Sequence, residues 1–93
     1  MKTLEWHPEI LGPMKHADAP KLEGWRMPTR AELIALFDSG DFPESMRNKY
    51  FWSSTPFVRF PTHSWSVHFD VGRTDAYGTL NADYVRLVRE MEN

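Results

Sequence analysis

The groups in this chain that could do chemistry are four histidines, a Ser53-Ser54-Thr55 run and thirteen acidic residues. Nucleophilic catalysis needs a hydroxyl or thiol within hydrogen-bond reach of a base. Ser53 and Ser54 carry no elbow glycine of the kind that exposes a nucleophile above a sheet. The acids are spread over turns and helix ends rather than paired for acid/base work. There is no cysteine, which removes a disulfide framework, a zinc-thiolate site and a thiol nucleophile together. His63 and His68 are five residues apart, so one strand face cannot present both, and His7 and His16 stand alone. These histidines are expected to be exposed side chains. The sequence thus predicts no enzyme, no catalytic residues, no metal and no cofactor.

What remains is surface for binding. The segment Phe57-Val58-Arg59-Phe60-Pro61-Thr62-His63 is long, holds two Phe and one Arg, and is bracketed by Pro56 and Pro61. Aromatic residues beside arginine are the composition of interaction hot spots. The alternative is that Phe57 and Phe60 fold back onto the core. The following run alternates: Trp65, Val67 and Phe69 fall on one face, Ser64, Ser66, His68 and Asp70 on the other. It reads as a half-buried strand with a polar outer side, which adds Ser66 and His68 to Arg59, Phe60 and His63 as candidate contacts.

The elements that must position these groups are legible to different degrees. Thr29-Arg30-Ala31-Glu32 has the form of a capping box, with Pro28 just before it. Ala31, Leu33, Ile34, Leu36 and Phe37 supply an apolar face, and Gly40 suits a left-handed stop, so the spacing predicts a helix over 29–39. Upstream, Pro8, Gly12, Pro13 and Pro20 break any long helix. A short strand around Leu4–Trp6 and then a wrapping loop are expected, with at best one helical turn between Met14 and Leu22. Residues 41–46 suggest a second, very short helix. Tyr50–Thr55 is rich in strand formers. Gly72 marks a turn, with Arg73–Tyr77 returning as a hairpin partner. Asn81–Met91 fits a helix or a strand by periodicity alone.

A chain of 93 residues is expected to be one domain with one modest core, here 1–93. Eleven basic residues against thirteen acidic ones leave a net charge of −2 and no basic patch, so nucleic acid is not an expected partner. No apolar run approaches a membrane span, and no secretory leader is visible. With Met1 at the start, a cytoplasmic setting is expected.

Three motifs in order carry a family resemblance: Gly24-Trp25-Arg26-Met27-Pro28-Thr29-Arg30-Ala31-Glu32-Leu33, then Tyr50-Phe51-Trp52-Ser53-Ser54-Thr55-Pro56, then Tyr84-Val85-Arg86-Leu87-Val88-Arg89. Ser64-Trp65-Ser66-Val67-His68-Phe69-Asp70 followed by Gly72 lies between the last two. This pattern, over about residues 24–90, resembles the Lcl C-terminal domain family, a domain of unknown function akin to the C-type-lectin-like superfamily. The resemblance implies an α+β fold with one main helix packed on a small twisted antiparallel sheet. It also implies that 84–89 is the closing strand. The helix that family members usually carry before this motif is expected to be vestigial or absent here, because the stretch is short and holds Pro20.

Trp25, Trp52 and Trp65, each in one of these motifs, are expected to be framework packing, and Arg26, Arg86 and Arg89 ties between strand ends, with Thr29 and Glu32 capping the helix. The superfamily includes the formylglycine-generating enzyme, whose cysteines are missing here. It also includes variable receptor-binding proteins, in which the segments corresponding to Arg73 and Tyr77 gather on the ligand-facing side. No sugar-chelating calcium signature is present. The expected function is a non-catalytic binding module that recognises a protein partner through 57–68 and 73–81, as monomer or homodimer. The alternatives are a phage or mobile-element accessory protein that blocks a host machine, and a calcium-independent glycan binder.

Overall fold

The computed structural model describes residues 2–59, 63–70, 74–78 and 82–92, with the backbone alone for Lys2, 74–78 and Glu92. Among the described residues, seven strands make two sheets, and one α-helix packs against the larger of them. Strand β1 (Lys2–Trp6) pairs antiparallel with β7 (Val88–Glu92), closing the two ends of the chain into a ribbon. The main sheet has the order β2-β6-β3-β4-β5, from β2 (Leu11–Met14), β3 (Tyr50–Pro56), β4 (His63–His68), β5 (Thr74–Gly78) and β6 (Asp83–Val85).

Helix α1 (Arg30–Ser39) forms where the capping box predicts it. The Thr29 hydroxyl accepts the Glu32 N–H at 3.1 Å, and the Glu32 carboxylate accepts the Thr29 N–H at 2.8 Å. Two of the helix's orphan donors are thereby satisfied. Gly40 ends it at φ +71° and donates its N–H to Phe37 O. The helix buries Leu33 and Leu36 against Phe51, Val67, Phe69 and Met46, all of which are removed from solvent. Each such side chain contributes on the order of 1.5–3 kcal/mol. Phe37, Phe42, Phe51 and Phe69 pack this core through ring contacts at 5.0–5.8 Å, in edge and stacked pairs.

The upstream segment is a wrap, as the prolines require, with a single 3-10 turn at His16–Asp18 in place of a first helix. A second short 3-10 turn covers Glu44–Met46. The wrap covers the sheet face opposite the helix. There Trp52, Val85 and Leu87 form a second buried cluster, with Leu11, Met14, Ala19, Trp25 and Met27 packed against it. Trp52 Nε1 donates to Met14 O at 2.9 Å, which fastens the wrap to the sheet.

This second layer corrects the reading of β4. Its alternation is real: Val67 pairs with Phe51 on the helix side, Ser66 with Trp52 on the other. Both sides are covered, so Ser66 is fully buried rather than part of a polar outer face. Period-two patterning separates two faces; it does not say what lies over each.

The sheet is also not purely antiparallel. β3 and β5 both run against β4, and β6 lies on the far side of β3 parallel to it, through Phe51 and Tyr84. The closing strand expected at 84–89 is two strands. The chain leaves the main sheet after Val85 and enters the terminal ribbon at Val88. At the break, Leu87 O accepts the His7 N–H at 2.8 Å, and Arg86 Nε donates to His7 O at 2.9 Å. The Gly72 turn lies outside the described residues, whereas its hairpin partner is β5, in register with β4 from His63↔Gly78 to Val67↔Thr74.

Candidate functional site

The turn after β3 is built from below. The Arg30 N–H at the start of α1 donates to Thr55 Oγ1 at 2.9 Å. The Arg30 guanidinium lies 4.4 Å from the Trp65 ring centroid, within cation–π range. The Phe57 ring meets Trp65 edge-on at 5.1 Å and His63 at 6.4 Å. The Phe57 N–H donates to His63 O at 3.1 Å, which ties the two ends of the turn. Phe57 therefore folds back, half-buried, and Val58 and Arg59 are left on the outside, with Val58 90% exposed.

The other expected contacts do not converge as one face. His63 and His68 sit at opposite ends of β4, both half-buried. His68 packs on Tyr50 at 4.5 Å. Ser66 is inside and donates its hydroxyl to Asp83 Oδ2 at 2.9 Å. Burial pushes the Asp83 carboxyl up from the ordinary range, and the Ser66 bond partly offsets this. Phe60 and Arg73 lie outside the described residues, and Tyr77 is placed by backbone alone, opposite Ser64.

The expectation of exposed histidines is also corrected. His7 meets Trp25 edge-on at 4.6 Å, and His16 meets Trp52 edge-on at 5.3 Å with Nε2 3.1 Å from Ser53 O. Among the described residues, no group of three or more His, Asp or Glu side chains is arranged to hold a metal ion. No helix among them is long and apolar enough to cross a membrane.

Three arginines tie the strand ends. Arg26 binds Glu32 with both guanidinium arms and reaches Glu90 at 3.2 Å. Arg89 pairs with Glu5 across the terminal ribbon and covers the Trp25 ring at 4.4 Å. Arg86 is partly buried over Trp6, at 5.6 Å, with one arm 3.4 Å from Met46 Sδ; its burial lowers its pKa.

One concave feature falls outside the predicted face. A cleft of about 770 Å³ opens along the wrap, between the 3-10 turn and Met27, with Ala19, Leu22, Trp25 and Met27 among its walls. In the sequence Trp25 looks like framework, because it sits in a motif of packing residues. The only hint of a hollow is the run of small and apolar residues Ala17, Ala19, Pro20 and Leu22 immediately before it. Whether such residues fill space or line it depends on Trp52 and Leu87, which are distant in the chain.

Among curated proteins, none matches the chain. The family model described as the Lcl C-terminal domain matches residues 4–89, reaching upstream of the first motif to take in the end of β1 and the wrap, and the chain belongs to the Lcl C-terminal domain family.

Proposed function

We propose that this domain is a non-catalytic binding module of C-type-lectin-like architecture, and that it recognises a protein partner through the turn between β3 and β4. The observation that carries the reading is the exposed Val58–Arg59 pair on a turn pinned by Phe57, Trp65 and Arg30. Phe57, next to this pair, is already held by Trp65 and by its N–H bond to His63 O, and a contact beside a held side chain loses less conformational entropy on binding. An apolar tip beside a free-standing cation is suited to a protein surface with a small apolar pocket and an acidic rim. Among the described residues, one α-helix packed on a small sheet supports the lectin-like architecture.

The test is affinity capture with the wild-type domain as bait, followed by calorimetric titration of the protein recovered. A Val58→Asp/Arg59→Glu variant should retain its fold and lose that partner. A Leu4→Ala variant, altered at an exposed position in the terminal ribbon, should keep it. Equal affinity of the partner for wild type and the double variant sinks the assignment of the turn.

A further inference from the structure

The cleft along the wrap shares no residue with the turn, and its walls are mostly apolar. Six of its ten lining residues are Ala17, Ala19, Pro20, Leu22, Trp25 and Met27. Its size, about 770 Å³, falls within the range of small-molecule sites. The polar lining groups are His16, Lys21, Glu23 and Arg26. Two of these are already committed. Arg26 is bound by Glu32 and Glu90, and His16 is held between Ser53 O and the Trp52 ring. The other two, Lys21 and Glu23, are opposite in sign and two residues apart. Their charges sum to zero, so the lining presents no net charge of one sign to select an ionic ligand.

We infer that this cleft binds an uncharged, mostly apolar small molecule, seated on Trp25, Met27, Ala19 and Leu22. The floor is rigid. Trp25 is fixed by the Arg89 guanidinium at 4.4 Å and the His7 ring at 4.6 Å. The Trp25 N–H is bonded to Leu22 O at 2.9 Å, which closes the turn that carries Leu22 to the rim. Leu22 is 44% exposed, so it has apolar surface left to cover. An apolar ligand there removes this surface and that of the apolar walls from water, and it carries no ionic group of its own to desolvate.

The experiment is a fluorescence titration of the whole domain with Nile red, an uncharged dye, in parallel with anilinonaphthalene sulfonate, an anionic one. Saturable one-to-one binding of Nile red is expected, with weaker binding of the sulfonate. Leu22→Asp places a carboxylate on an exposed rim position and should weaken Nile red by at least about tenfold without unfolding the domain. Ala17→Phe, at another exposed lining position, should weaken it by filling the cleft. Val58→Asp/Arg59→Glu should leave it unchanged, which keeps this outcome independent of the turn. Absence of saturable Nile red binding overturns the site, and so does binding that neither lining variant weakens. Sulfonate binding as tight as that of Nile red overturns the neutral ligand class.

Discussion

The Glu32 carboxylate receives both arms of the Arg26 guanidinium, at 2.8 and 2.7 Å. The same carboxylate caps helix α1 through the Thr29 N–H. The Arg26 backbone pairs with Val88 in both directions, at 2.9 and 2.8 Å. One residue pair thus joins the start of the helix to the terminal ribbon. Arginine suits the position because its planar fork matches a carboxylate, which a lysine cannot do.

The hydrogen bond from Arg26 is the main reason that the Glu32 pKa is lowered. A lowered acid stabilises the fold above its ordinary pKa and loses that contribution as pH falls through its folded value. Arg26 is 38% exposed, so solvent screens the pair and keeps its contribution small. Glu32→Gln keeps a cap acceptor and should cost about 1 kcal/mol at pH 7, with the difference from wild type shrinking below about pH 4. Glu32→Ala, which removes cap and pair together, should cost about 2 kcal/mol. Urea unfolding at pH 7 and pH 3 checks both. A Gln variant equally destabilised at the two pH values would show that charge is not what matters.

Trp52 holds the two layers of the molecule together. It is fully buried, and its indole N–H donates to Met14 O. Trp52→Phe keeps an aromatic ring but leaves that carbonyl without this donor and opens space below the wrap. The expected cost is about 2 kcal/mol, from the unmade bond and the cavity. Amide hydrogen exchange should accelerate in residues 14–19 well before it does in α1. Uniform acceleration across the chain would mean that Trp52 serves the whole core rather than the wrap.

What could be read from the sequence was what is decided locally. The capping box, the Gly40 stop and the strand composition of 50–56 are set by neighbours within a few residues, and all three are present in the structure. The pattern at 63–68 was legible as a strand, but the burial of Ser66 and its bond to Asp83 depend on segments distant in the chain. The parallel pairing of Phe51 with Tyr84 and the break at Arg86–Leu87 depend on where β1 and β2 lie, which no local pattern encodes. Trp25 was legible as a packing residue, whereas the hollow beside it required three dimensions.

Gly12 should be less replaceable than Gly24 or Gly40. It lies at φ +107°, and an added Cβ would sit 3.1 Å from Asp83 O and 3.1 Å from Met14 N, both backbone atoms. Gly40 is at φ +71° with open space around it. Gly40→Ala should therefore cost about 1 kcal/mol from the backbone conformation alone. Gly12→Ala adds crowding against β6 and should cost clearly more. Thermal unfolding of the two variants side by side gives the comparison. Equal losses would mean that β2 can move away from β6 without penalty.

Asp83 should make the domain less stable as pH rises, opposite to Glu32. Its carboxyl is buried at the head of β6, with the Ser66 hydroxyl donating to it. Burial raises its folded pKa above the ordinary aspartate value of about 3.9. A raised acid gives its full stabilising contribution below the ordinary value and loses it as pH climbs through the folded one. Asp83→Asn retains an oxygen for Ser66 and has no proton to release. At pH 7 the variant should be at least as stable as wild type; toward pH 3 that advantage should vanish or reverse. The other titrating groups are common to both proteins and drop out of the difference. Urea midpoints of the two proteins from pH 3 to pH 7 measure it directly. A difference that stays constant across the range would mean that Asp83 is as comfortable ionised in the fold as in water.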